Sequence, residues 1–181
     1  MGSQIVLVVV AIIGVAAIAI AVRMARAFGE YRGERVVTCP ETHAPVGVHV
    51  DASHAALLTA RGGAGLRLSD CTRWPERAGC GQECLSEIAA APHDCLVRVR
   101  LANWYAGKTC ALCGEVFDEI RWVDAKPGLL HPDGPVIAWD DVHADKLDAV
   151  QSTHRPLCYD CFVAEAFRQR YPEMFTDRAR H

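Results

Sequence analysis

Cys110-Ala-Leu-Cys113-Gly-Glu-Val-Phe-Asp118 is the stretch on which the fold turns. Two residues between two cysteines let one tight turn aim both sulfurs at a single point, with its backbone amides facing them. Gly114 supplies the permissive backbone such a turn needs. A matching pair, Cys158-Tyr-Asp-Cys161, lies downstream. Together Cys110, Cys113, Cys158 and Cys161 offer four thiolates, the ligand set of a closed, tetrahedral structural zinc site. Free buried thiols would not call for the same spacing twice, and neither pair sits in the βαβ setting of a thioredoxin-like dithiol.

Between the pairs the sequence predicts a β-prone run through Val116, Phe117, Ile120, Trp122 and Val123. Turn residues follow at His131-Pro-Asp-Gly-Pro135, then a second short strand at Val136-Ile-Ala-Trp139. A polar helical link is expected over residues 144–151. From Tyr159 the apolar positions Phe162, Val163, Ala166 and Phe167 recur at helical spacing until Pro172 stops them. The second pair is thereby placed where a helix begins, and free amides and the helix dipole there favour thiolates. Trp104, Trp122 and Trp139 are expected in the core of this part.

Knuckle, hairpin and a helix carrying the second pair resemble the treble-clef and zinc-ribbon arrangement over residues 108–171, in architecture rather than in sequence detail. The first knuckle is also similar to that of rubredoxin, and that resemblance implies iron and electron transfer as the alternative to zinc. Phe162 stands where rubredoxin's second knuckle usually has glycine, and the gap between the pairs is long, so iron is the second reading. Gly114 and Phe162, not histidine, follow the two pairs, which argues against covalent haem.

Cys39, Cys71, Cys80 and Cys84 form a less regular second set. Residues 35–38 and 46–50 read as a strand hairpin around Cys39-Pro-Glu-Thr-His43, and Cys80-Gly-Gln-Glu-Cys84 opens a helix expected over 82–91, ended by Pro92. The order suggests a second metal site, with His43 able to replace one sulfur and an iron–sulfur cluster as the alternative filling. Cys95 is the ninth, expected to pack beneath Leu96 and Val97. Arg73-Trp-Pro-Glu-Arg77 reads as a loop around that site with Trp74 as its cover. The stretch Trp74-Pro-Glu-Arg-Ala-Gly-Cys80 resembles segments of uncharacterised bacterial membrane-anchored cysteine-rich proteins, which implies no activity.

Whether these cysteines bind metal or form disulfides depends on the far end of the chain. Residues 5–22 are 18 uncharged residues with Gly14 as the one glycine. As a helix they span about 27 Å, close to the hydrocarbon thickness of a bilayer. Residues 1–4 carry no Lys or Arg and no convincing small-residue cleavage site precedes Arg23, so an anchor is expected rather than a cleaved signal. Arg23, Arg26, Arg32 and Arg35 follow the span, which predicts a cytoplasmic C-terminal region. In that reducing compartment, clustered cysteines bind metal more often than they form disulfides.

The remaining residues, roughly 145, allow one domain or two small ones. The expected division is an anchor at 1–22, a basic juxtamembrane segment at 23–35, a cysteine module at 36–97 and a double-knuckle module at 98–181. The fold class is α+β. A net charge of −3 argues against a nucleic-acid grip. Arginine outnumbers lysine sixteen to three, a bias of GC-rich bacterial coding without mechanistic content.

No Gly-x-Ser-x-Gly, phosphate-binding glycine loop, His-Glu-x-x-His or dinucleotide fingerprint occurs. Gly62-Gly63-Ala-Gly65 reads as a flexible turn, and Asp140, Asp141, Asp145 and Asp148 as a solvated face. His154 is a candidate donor to a sulfur. Four thiolates leave zinc no open position for water, so a catalytic role is not expected. The expectation is a membrane-anchored zinc-binding adaptor or accessory subunit, held by the lipid bilayer and a protein partner. The alternatives are a tethered iron electron carrier and a thiol-based redox or metal sensor.

Overall fold

The computed structural model describes residues 2–63, 65–77 and 79–175. Helix α1 runs over Gly2–Tyr31. Its most apolar 18-residue window has a mean hydropathy of 3.3, and none of that window is buried. It is long and apolar enough to cross a bilayer; a signal sequence meets the same measure of length and composition. Near its C-terminal end Ala27 is buried where α1 meets α2 (Ala52–Ala60), whose Ala52, Ala55 and Ala56 are also buried. Small residues let the two backbones come close.

The segment expected to be a basic juxtamembrane stretch is mostly a continuation of this helix, and one of its four arginines is not on the surface. Arg35 is fully buried. Its guanidinium donates to the carbonyls of Glu30 at 2.5 Å, Tyr31 at 2.7 Å and Gly33 at 2.9 Å. The last carbonyls of a helix lack intrahelical partners and carry the negative end of its dipole, so a cation is favoured there. Arg35 therefore caps α1 from the first strand, while Arg23, Arg26 and Arg32 stay exposed.

The chain divides into two units, Met1–Val97 and Arg98–His181. In the first, β1 (Glu34–Thr38), β2 (Pro45–Val50) and β3 (Leu68–Cys71) form an antiparallel sheet in that order. Val37 faces Val46 and Val48 faces Cys71 across the ladders. The inward valines pack with Leu68, Ile88, Cys71, Cys84 and Cys95. A one-turn helix, α3 (Trp74–Arg77), and α4 (Leu85–Ala90) follow. Helix α4 starts three residues later than expected because Gln82 has φ +55°, outside helical space, and its side chain accepts from the Leu68 amide at 2.9 Å. Helix α2 was not foreseen, since its alanine-rich stretch has little periodicity to read.

Helix α5 (Val97–Tyr105) leads into the second unit. There β4 (Gly128–Leu130) pairs antiparallel with β5 (Val136–Ile137) on one side and β6 (Arg155–Leu157) on the other. The run expected to be a strand over 116–123 is irregular instead. Val116 makes a single bridge to Thr109, and Val123 is 95 % exposed. The strand forms later, at Gly128, Leu129 and Leu130, where all three residues are buried. Position 128 must be glycine, because a Cβ there would run into the ring of Phe162. The polar link folds as a 3-10 turn at Ala144–Lys146 and α6 (Leu147–Thr153), and α7 spans Tyr159–Arg170.

The aromatic core of this unit centres on a residue the sequence reading passed over. Tyr105 is fully buried, donates to the Gly128 carbonyl at 2.7 Å and accepts from the Trp139 indole at 2.8 Å. Trp104 and Phe117 stack edge-on against it. Trp139 joins the core as expected, whereas Trp122 is half-buried and lies outside this group. The mixture of helix and antiparallel sheet is α+β in both units.

Candidate metal centre

The knuckle after Thr109, strand β6 and the start of α7 each contribute a constraint that brings sulfurs together. Thr109 and Val116 pair as a short bridge, so the chain between them folds back on itself. Inside this turn the Cys110 amide donates to Glu115 O at 2.8 Å and the Gly114 amide to Cys110 O at 3.0 Å, with Gly114 at φ +76°. That is the left-handed conformation in which a side chain is strained. The Ala111 amide donates to Pro156 O at 2.9 Å, fastening the knuckle to β6. One residue beyond β6, Cys158 caps α7 in an extended conformation, and its carbonyl accepts the first helical bond from Phe162 at 2.9 Å. Cys161 then projects from the first turn.

The result is a group of four ligand atoms, those of Cys110, Cys113, Cys158 and Cys161, all within 4.8 Å of one another. Cys113 Sγ and Cys158 Sγ are 3.7 Å apart. A tetrahedron of sulfurs at about 2.3 Å from a central ion has edges of about 3.8 Å, so the spacing is that of one ion's ligand shell. Cys110 is buried beside Leu130 and Leu157, Cys158 and Cys161 are half-buried, and Cys113 is exposed. Four clustered cysteines of this kind can bind a metal ion. No disulfide joins any of the nine cysteines.

Protonation divides the four unevenly. Burial pushes the Cys110 thiol up, but amides of Cys113, Cys158 and Leu112 outweigh it and bring the group down to about 6. The Cys158 amide donates to this sulfur at 3.3 Å. Cys158 and Cys161 are pushed up, first by burial and, for Cys161, then by its three sulfur neighbours. Cys110 holds negative charge while Cys158 and Cys161 keep their protons. Four sulfurs this close need a cation before all of them ionise.

The other predicted ligands do not gather in this way. Among the described residues, the group just described is the one whose ligand atoms come so close. Cys39, Cys71, Cys80 and Cys84 instead line one cavity of about 350 Å3, together with Arg73 and Trp74. His43, suggested as a replacement ligand, is exposed in the β1–β2 loop and does not line it. Cys95 packs in the core with Leu96 buried beside it, its thiol directed to the carbonyls of Ala91 at 3.5 Å and Pro92 at 3.7 Å. His154 turns toward His131 and Thr153 rather than toward a sulfur. Three of the four acidic residues in the 140–148 run pair with bases: Asp140 with Lys126, Asp145 with Lys146 and Asp148 with Arg100.

Comparison with models of known protein families, with curated proteins and with solved structures finds no match. Any functional reading therefore starts from the sulfur geometry and the apolar helix.

Proposed function

We propose that this protein is a membrane-anchored adaptor or accessory subunit whose cytoplasmic C-terminal unit is held folded by a zinc ion on Cys110, Cys113, Cys158 and Cys161. The observation that carries the reading is the 3.7 Å sulfur edge between chain segments 45 residues apart. It matches a single tetrahedral ion, and four thiolates close the coordination shell to water, which suits structure rather than hydrolysis. The hydrophobic cluster beside the site is small, with Leu130 and Leu157 as its buried aliphatic members. Bound metal adds folding energy to such a unit directly.

Docking is supported by α7, which has no buried residue along its whole length. Val163 and Phe167 on it, with Leu112 of the knuckle and Phe175 beyond the helix, line one open apolar groove next to Cys161. Exposed apolar surface of this kind marks a protein contact. The occupant we assign is an apolar segment of a protein at the inner membrane surface, because α1 and the three exposed arginines after its span hold the chain there.

The test is site-specific photo-crosslinking from position 167 in intact membranes carrying the full chain. A discrete protein adduct is expected, lost on Cys113→Ser. Absence of any adduct, or recovery of the chain in the soluble fraction after an alkaline wash, contradicts the reading.

A further inference from the structure

The first unit carries four cysteines whose arrangement differs in kind from the C-terminal centre. We infer that Cys39, Cys71, Cys80 and Cys84 ligate an iron–sulfur cluster, a second metal centre that stands independently of the zinc reading above. Three separate elements supply them. Cys39 follows β1, Cys71 ends β3, and Cys80 and Cys84 bracket the turn before α4. That turn is held in shape by Gln82, whose side chain accepts from the first amide of β3. The Thr38 amide donates to Glu87 Oε2 at 3.0 Å, fixing α4 against the strand that leads to Cys39.

Size distinguishes the guest. One ion would draw four sulfurs to edges of about 3.8 Å and leave no room between them. These four instead line an open cavity of about 350 Å3, on the order of ten waters at about 30 Å3 each. An inorganic core of iron and sulfide fills such a gap while keeping the cysteine ligands of a four-thiolate site.

One donor reaches these sulfurs, and a second belongs to a residue that lines the same cavity. Arg73 Nη1 lies 3.0 Å from Cys39 Sγ. Glu41 holds that arginine at 3.0 Å and Arg77 at 2.9 Å, which fastens α3 beside the cavity. The indole Nε1 of Trp74, a lining residue, is shielded from solvent and has no hydrogen-bond partner. A buried N–H without a partner calls for an acceptor, and cluster sulfides or ligating thiolates are acceptors of the right kind. Arg73 on Cys39 and an orphaned donor on a lining residue beside four thiols suit a sulfur-rich guest. Each cysteine gives up its proton as its iron–thiolate bond forms.

The experiment uses the full chain in detergent, purified without oxygen and then supplied with iron salts, sulfide and a thiol reductant. The broad visible absorption of sulfide-to-iron charge transfer is expected, with iron and acid-labile sulfide in equal amounts. The band persists in Cys113→Ser, which removes the C-terminal site, and disappears in Cys71→Ser. Because Cys71→Ser can fail by misfolding, Trp74→Phe is measured as well. It keeps the ring but removes the donor, so the cluster stays bound and its reduction potential falls. The inference is overturned by stoichiometric zinc on these four cysteines without iron or sulfide, or by disulfides among them. It is equally overturned by a band that depends on Cys113 but not Cys71, or by a potential unmoved in Trp74→Phe.

Discussion

The two sets of four cysteines show how differently the same residue can be built into one chain. In the second unit each pair is fixed by its own local turn, and one long-range relation, knuckle to helix start, then brings all four together. In the first unit Cys39 and Cys71 stand alone on separate elements, so three relations have to be satisfied by the sheet and by α4. The sulfurs end up around a cavity rather than at a point. Local spacing converts directly into convergence; scattered ligands depend on the whole fold. The stabilising forces differ too. The first unit has a sheet with a sizeable apolar core, whereas the second buries Tyr105, Trp139, Leu129 and Leu147 and gathers four cysteines that can bind a metal ion.

This contrast can be broken most sharply by removing one sulfur from each unit. Cys113→Ser forfeits much of a binding energy that reaches roughly 10–16 kcal/mol in zinc-finger peptides, so the second unit unfolds. Amide exchange should show protection lost over residues 98–175 and retained in β1 to β3. Uniform loss across both units would mean that the contrast is false.

Next in size is Gly128→Ala. The added Cβ would collide with the Phe162 ring, which must move off β4. Overpacking of this kind costs about 1–3 kcal/mol, a melting shift of about 4–8 °C per kcal/mol in a unit of this size. Phe162→Ala in the same chain, which removes the ring atoms that come nearest, should make the added methyl at 128 cost less than it does beside phenylalanine. A Gly128→Ala chain as stable as the parent would sink the packing account.

A pH titration sharpens the comparison further. Zinc must displace the protons of Cys158 and Cys161, which burial pushes up, whereas Cys110 at about 6 is already mostly ionised at neutral pH. Raised thiols are protonated in the metal-free fold below their shifted values, so protons compete with the ion more strongly as pH falls. Zinc affinity should therefore climb from pH 6 to pH 8, with protons released on binding at pH 7. A flat profile by competition titration would mean that these thiols are not the ligands.

The smallest effect belongs to Cys95→Ser. Its thiol is protonated and already directed at carbonyls, so the hydroxyl replaces a weak donor with a stronger one in the same place. A loss of about 1 kcal/mol or less is expected, with metal content unchanged. Metal loss in this variant would contradict the separation of Cys95 from the ligand sets.

Much of this was legible in the residues. The double Cys-x-x-Cys spacing pointed to the cluster, and the apolar run of residues 5–22 to a helix able to cross a membrane, because each signal is local. What the sequence hid was long-range. Arg35 read as a surface cation, since nothing near it in sequence reveals that its partners are the carbonyls ending α1. The β-prone residues 116–123 lacked a partner strand, and the true strand formed where Gly128 allows Phe162 to lie on it. Tyr105 drew no notice because its importance comes from Gly128 and Trp139, both more than twenty residues away.

X-ray absorption at the zinc edge, on the full chain purified without added metal, reaches the central claim without passing through folding or partners. One zinc per chain with a first shell of four sulfurs at about 2.3 Å is expected, vanishing in Cys113→Ser. A chain without zinc, or a shell containing oxygen or nitrogen in place of sulfur, would contradict it.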